Sequence, residues 1–419
     1  MKETPSSSTK PRAISKTKSL HHLVLHGALR GFTIGYSLKT LLSVVRAIVR
    51  FVVNRKRRKV SFSNVFLEKD AIALGGSLAM GSVIYRVVYQ YCGRNSVMAS
   101  GCSAISMGLD PNSDRRTQMA LYVCMRALEC VVRRSLSSEG VLNRIVPESL
   151  RERFPLSELI FVTSCTEIMF SWFYHIDRLP PFYSKWITSM SEMHPSLLKL
   201  LHGYYHGTLQ YGVKSDCLHG YCVAHDIDPV RGNLTTLVSK DIVHPMDPDN
   251  CTGNVTRRFT NAFLRSVAIY TPVHLLPTLI FRLHRIASPS TILRISYSVF
   301  RSSAFLGSFV GIVHLCICLI RNLRPGDEST GVLLGCAMCG TSVFLEKPKR
   351  RLDLALYVAP MALQSMWRRL SAGTKWHIPG FEILIYAISL ITVSRTMKDS
   401  PEHVRPSLRS LMEWLFMKE

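Results

Sequence analysis

The residues best suited to chemistry lie in the middle of the chain. Cys217, His219, Cys222, His225 and Cys251 are soft donors within a polar stretch. Thiolate and imidazole are zinc ligands, and four of the five would complete a tetrahedral site with bonds of about 2.0–2.3 Å. The stretch has little apolar area of its own, so a metal would supply stability that burial does not. The spacing matches no standard zinc finger, and unligated cysteines and histidines in a loop are the plainer alternative. Zinc is the one cofactor suggested, and catalytic residues are not. His202 and His206 share a helix face, as in membrane desaturases, but the several His-x-x-His-His boxes of those enzymes are absent. No Walker loop, G-x-S-x-G elbow or Rossmann glycine set occurs. The expectation is a protein that is not an enzyme.

A second set consists of ionisable residues inside apolar segments: Lys39, Arg126, Glu129 and Glu167. A charge in hydrocarbon is costly, so such groups face a bundle interior or pair with one another. Arg126 and Glu129 stand three apart, the spacing of an intrahelical pair. They either line a polar groove or act as hydrogen-bonding glue between helices.

The elements that position these residues follow from hydropathy. The chain has 419 residues, a net charge of +24 and 47% hydrophobic residues, averages that a soluble protein would also fit. The distribution decides: apolar runs of nearly membrane-spanning length recur, separated by basic clusters such as Arg55–Lys59 and Arg133-Arg134. Cations at the ends of apolar runs anchor helices at headgroups, and no nucleic-acid-binding pattern accompanies them. Membrane lipids are therefore the expected partners, with a second copy or other membrane proteins beside them, and nucleic acid is not. Nine of the twelve cysteines lie in or beside apolar segments, which argues against a secreted disulfide framework. Three N-x-S/T sequons (Asn233, Asn250, Asn254) matter only if their loop enters the secretory lumen. The expected organisation is a basic tail without a cleavable signal at 1–27, a first helical repeat at 28–176, a polar linker at 177–262, a second repeat at 263–396, and a tail at 397–419 with a short interfacial helix.

The restart after residue 262 is also a restart of sequence. Arg115–Arg134 and Arg350–Arg369 are identical at ten of twenty positions, at a fixed offset of 235. Gly101-Cys102 matches Gly335-Cys336, Arg30 matches Arg265, and Glu158-Leu-Ile-Phe resembles Glu382-Ile-Leu-Ile. Glu129 falls opposite Gln364, so a polar group recurs there. The reading is an all-α, polytopic membrane bundle of two tandem repeats, each of about four to five helices. Five spans per copy would invert one copy against the other, whereas a re-entrant third segment would keep them parallel. Small residues at four-residue spacing, Gly31/Gly35, Gly307/Gly311 and Gly331/Gly335 among them, let helix backbones approach closely. Pro360 is expected to kink the second copy alone.

The second copy resembles a known family. The runs Ala304-Phe-Leu-Gly-Ser-Phe-Val-Gly311, Leu319-Ile-Arg-Asn-Leu323 and Ile383-Leu-Ile-Tyr-Ala-Ile-Ser389 are similar to stretches of the transmembrane protein 135 family. Arg115-Arg116, Tyr122 and Glu129 carry the likeness into the first copy, and the Cys217–Cys251 region resembles that family's cysteine-rich segment with fewer cysteines. The resemblance covers about residues 25–395. It departs at Gln364, where members tend to carry Glu, so a carboxylate is not required in both copies. The family is related to the peroxisomal membrane protein 52 group and distantly to the mitochondrial inner-membrane translocase channels. The resemblance implies a multi-pass protein of peroxisomes or mitochondria with roles in lipid handling and organelle dynamics. A pore or translocase component is the alternative.

Overall fold

The computed structural model of the protein describes residues 20–53, 69–135, 155–208, 223, 250–281, 288–324, 328–371 and 380–417. Among the described residues the chain is helical, with no strand. The helices are α1 (Leu20–Val53), α2 (Lys69–Tyr91), α3 (Ser96–Ser103, extended by a 3-10 turn to Leu109), α4 (Ser113–Ser135) and α5 (Leu156–Tyr174). Two short helices follow, α6 (Pro181–Ser191) and α7 (Pro195–Tyr205). Then come α8 (Cys251–Phe281), α9 (Pro289–Leu323) and α10 (Glu328–Cys339, extended by a 3-10 turn to Leu345). The last are α11 (Pro348–Ser371), α12 (Phe381–Asp399) and α13 (Pro406–Met412, ending in a π turn).

Local chemistry sets several of these starts. Prolines open α6, α7, α9, α11 and α13, where the missing N–H costs nothing and φ is already helical. Asn95 caps α3 by accepting from the Val97 and Met98 amides. Asn250 does the same for α8 through the Gly253 amide, at 2.8 Å. α11 continues through Pro360.

Burial divides the helices between two cores. One is built by α2, α3, α4, α12 and α13 around Tyr85, Val393 and Phe416. The other is built by α5, α6, α7, α9, α10 and α11 around Trp172, Phe173 and Val343. α1 lies along α2, and α8 lies along α9. Burying an aromatic side chain such as Phe173 is worth roughly 1.5–3 kcal/mol. Met125 of α4 with Leu356 and Ala359 of α11 forms a small cluster that joins the two bundles. The assignment of α5 and α12 crosses the chain order. α5 packs on α10 and α11, while α12 packs on α3 and α4.

Among the described residues, three helices are long and apolar enough to cross a membrane: Lys69–Tyr91, Leu156–Tyr174 and Pro289–Leu323. Shorter apolar helices cover Ser96–Leu109 and Ser329–Leu345.

Three expected boundaries move. α1 begins at Leu20, inside the segment read as a tail, and Gly27 packs directly on the Arg86 side chain. The polar linker begins with helices whose apolar faces (Ile187, Met190, Leu197, Leu198) enter the second core, and α8 starts at Cys251 rather than at 263. The C-terminal helix packs one face into the first core. Met412, Leu415 and Phe416 are buried in the first core, and the Ser82 hydroxyl donates to the Leu415 carbonyl at 2.9 Å. Asn254 is fully buried in α8, which closes that sequon to glycosylation in the folded chain.

The small-residue spacings do different amounts of work. A Cβ on Gly31 would stand 2.5 Å from the Leu78 carbonyl oxygen, and one on Gly35 would stand 2.8 Å from the Gly75 Cα. Both obstacles are backbone, so α1 and α2 must separate. Cβ atoms on Gly307, Gly331 and Gly335 would meet neighbours at 3.2–3.3 Å, and one on Gly311 would make ordinary contact with Phe259 at 3.5 Å. Gly31→Ala and Gly35→Ala should each cost about 1–3 kcal/mol through overpacking, and Gly311→Ala should cost little. Thermal unfolding of the purified variants in detergent checks the order. Equal melting temperatures for Gly31→Ala and Gly311→Ala would remove the close α1–α2 approach as a constraint.

Candidate functional site: a charged seam between two bundles

α4 and α11 meet at the junction of the two cores, and their polar faces carry a compact ionic cluster. Arg126 Nη1 donates to Glu129 Oε2 at 2.9 Å, the pair that their spacing predicts. The other Glu129 oxygen accepts from Arg133 Nη2 at 2.9 Å and from Arg405 Nε at 2.5 Å. Arg405, from the link between α12 and α13, also pairs with Asp353 of α11, and Arg126 approaches the same carboxylate at 3.5 Å. Three guanidiniums therefore share two carboxylates. The Glu129 side chain is 6% exposed and that of Asp353 46%, so Glu129 carries the desolvated part of the cluster.

The other predicted polar residues lie elsewhere. Glu167 of α5 accepts from Ser171 and Ser365, at 3.3 and 3.0 Å, and the two hydroxyls are 2.7 Å apart, so this group ties α5 to α11. Lys39 lies 3.7 Å from Asp70 at the α1–α2 contact. Gln364 is 3% exposed, and its Oε1 accepts no hydrogen bond among the described residues. Glu129 and Gln364 are equivalent in sequence but do not build one shared patch, because Arg405 and Asp353 complete the cluster only around Glu129.

Two further ion pairs were not legible in spacing. Arg116 of α4 binds Glu382 in the first turn of α12, Nη2 to Oε1 at 3.0 Å. Arg351 of α11 binds Glu158 in the first turn of α5, Nη1 to Oε1 at 2.8 Å. Each arginine also caps the 3-10 turn before its helix. Arg116 donates to the Asp110 carbonyl at 2.7 Å and Arg351 to the Glu346 carbonyl at 3.0 Å. The available signal was the Arg-Arg pair opening each repeated segment, together with Glu158 and Glu382 heading the matched apolar runs.

A cleft of about 490 Å³ opens between α2, α12 and α13, lined by Arg86, Arg94, Lys398 and Arg409 with Tyr85 and Phe416. Arg94 follows the end of α2 and Lys398 sits in the last turn of α12, where cations complement helix dipoles. Arg409 pairs with Glu413 at 2.7 Å.

Of the five proposed zinc ligands, Cys217, His219, Cys222 and His225 lie outside the described residues. Cys251 sits at the start of α8, where its sulfur accepts from Arg321 Nη2 at 3.2 Å. Among the described residues no group of three His, Cys, Asp or Glu side chains is placed to hold a metal. His202 and His206 do face each other, with ring centroids 4.3 Å apart, and His175 lies 5.0 Å from His206. Burial, then the Arg178 and His206 charges, push the His175 pKa down to about 4, and burial with His206 also lowers that of His202.

An all-helical architecture, three helices long and apolar enough to cross a membrane, and charges paired at helix junctions define a helical membrane protein as the class. The family described as the N-terminal cysteine-rich region of Transmembrane protein 135 matches residues 239–370, about a third of the chain. No solved structure matches the chain.

Glu129→Ala leaves the three guanidiniums of the cluster with the one carboxylate of Asp353 and should cost about 3–5 kcal/mol. Asp353→Ala, at a half-exposed carboxylate, should cost about 1 kcal/mol or less. Unfolding of both variants in detergent compares them, and a milder loss for Glu129→Ala would show that the cluster is not the junction. The histidine group adds a pH effect with a definite sign. The folded chain resists a proton on His175 that the unfolded chain accepts below about 6.5. Its contribution is therefore complete above that pH and is lost as pH falls toward about 4. His175→Asn should flatten the decline in melting temperature between pH 6.5 and 4.5.

Proposed function

We propose that this chain is a non-enzymatic, multi-pass protein of a peroxisomal or mitochondrial membrane, acting in lipid handling and organelle dynamics. The family match across α8–α11, set beside three apolar helices of spanning length, is the observation that carries this reading. Membrane lipids are its partners, and a second copy or other organellar membrane proteins are compatible with its exposed apolar residues. It requires no cofactor for this role. Zinc in the polar stretch is a separate proposal that rests on Cys217, His219, Cys222, His225 and Cys251.

The reading includes two tandem copies that exchange their final helices. Its support is the offset-235 identity together with matched contacts. The Arg116–Glu382 and Arg351–Glu158 pairs join equivalent residues of the two copies in reciprocal directions. The first copy's α5 completes the second core, and the second copy's α12 completes the first.

A pore or translocase component is the second reading, favoured by the charged seam at the copy boundary. The seam also has features of a closed joint. Its carboxylates are matched to arginines, and Met125, Leu356 and Ala359 form a buried apolar cluster at the same junction.

Full-length protein fused to a fluorescent tag, imaged with markers for each organelle, tests the main reading. The expected result is overlap with peroxisomes, mitochondria or both. Confinement to the endoplasmic reticulum or plasma membrane would overturn it.

A further inference from the structure

The two bundles differ at one corner in a way that points to a ligand. In the first bundle Asp70, at the start of α2, lies 3.7 Å from Lys39 of α1 and 3.6 Å from Arg115 of α4. Arg115 is also held by Asp110, the residue that ends the 3-10 turn after α3, through two bonds of 2.5 Å. Two cations meet two carboxylates there.

The matching corner of the second bundle keeps the arrangement and loses a carboxylate. His274 stands at the offset-235 position of Lys39, and Arg350 at that of Arg115. Glu346 ends the 3-10 turn after α10, as Asp110 does after α3. Asp70's place is taken by Ser302 of α9, whose hydroxyl accepts from Arg350 Nη1 at 2.8 Å and lies 3.3 Å from His274 Nε2. Ser302 is fully buried. Glu346 holds Arg350 only at 3.4 Å, in place of the tight fork between Asp110 and Arg115. The side-chain hydrogen bonds of Arg350 to described residues run from Nη1. A cleft of about 340 Å³ opens at this corner, lined by Arg301, Lys347 and Arg350 with His274, Ser298 and Glu346. Three cations there face one carboxylate.

We infer that this cleft binds a phosphomonoester group, held by the Arg301, Lys347 and Arg350 cations that line it. A single carboxylate would leave the corner with one excess positive charge, whereas a phosphomonoester carries about −1.5 to −2 at neutral pH and matches the two in excess. Guanidiniums suit tetrahedral oxyanions, and Lys347 adds a point charge. The volume lies in the range of small-ligand sites. The cleft sits beside the N-terminal part of α9, a helix long and apolar enough to cross a membrane. The group therefore comes from free phosphate or from a lipid phosphomonoester headgroup. Choosing Asp70 as the template rests on the two-copy reading, but the cleft and its cations stand without it.

The experiment uses full-length protein in two arms. One titrates inorganic phosphate into protein in phosphatidylcholine nanodiscs, followed by calorimetry. The other measures retention of phosphatidic acid over phosphatidylcholine when the protein is purified from mixed nanodiscs. Saturable phosphate binding identifies a free ligand, and selective phosphatidic acid retention identifies a lipid headgroup. Either signal should fall about tenfold in the Arg301→Gln/Lys347→Gln double variant, whose changes lie at the mouth of the cleft. Ser302→Asp should abolish it by restoring the missing carboxylate, and Ser302→Ala should largely preserve it. Absence of both signals in wild type, or signals unchanged in the Arg301/Lys347 double variant, would overturn the inference. A separate measurement isolates the two-copy reading. Residues 1–222 and 223–419 should accumulate only when expressed together, because each core needs a helix from the other half. Independent accumulation of the halves would end that reading without touching the phosphate result.

Discussion

Two arginines control how the chain closes on itself. Arg116 and Arg351 sit in the first turns of α4 and α11, and each seals the 3-10 turn before it through a backbone carbonyl. Each then reaches a glutamate at the head of a helix that belongs to the far half of the sequence. A half-buried guanidinium that satisfies a carbonyl and a carboxylate together fixes direction as well as distance. The placement of α5 and α12 follows from those directions. The two cores follow in turn, because Phe161 and Trp172 enter one with α5 while Leu390 and Val393 enter the other with α12.

The charged seam is a second consequence. Once α12 lies on α4, the link that follows it passes over the α4–α11 junction and places Arg405 between Glu129 and Asp353. A residue late in the chain thereby completes a pair, Arg126–Glu129, that would otherwise be one local contact on one helix. The pseudo-equivalent position, Gln364, is a neutral, buried amide with no arginine bonded to it among the described residues. Near-symmetry of sequence therefore does not produce symmetry of charge, and the cleft near Ser302 differs from the Asp70 corner in the same manner.

Helix existence was readable where apolar period and length were strong, as in α2, α5 and α9. The Arg126–Glu129 pair was readable because its geometry is local. The segment at 181–205 was not read as two core helices, because its apolar residues are broken into short runs by Ser, Lys, Glu and His. The prolines at 181 and 195 were the available signs of helix starts. The start of α8 was misplaced by twelve residues because Thr, Asn and Arg dominate its first turns, although Asn250 is a good cap. Arg405 and Asp353 could not be assigned to Glu129, since nothing local records a contact across 276 residues. The glycine spacings showed that helices approach closely somewhere but could not rank the contacts. That ranking needed the backbone of the partner helix, which is much nearer at Gly31 than at Gly311.

The crossing of α5 and α12 also bears on how the protein is made. The helices of the first core other than α12 and α13 are complete by Ser135, whereas α12 begins only at Phe381. At roughly 5–20 residues per second, a ribosome takes on the order of tens of seconds to cover that interval. Throughout it, the faces of α3 and α4 that later receive Leu390 and Val393 have no native cover. Insertion machinery or lipid must shield them, so biogenesis of this chain is a problem of waiting as much as of folding.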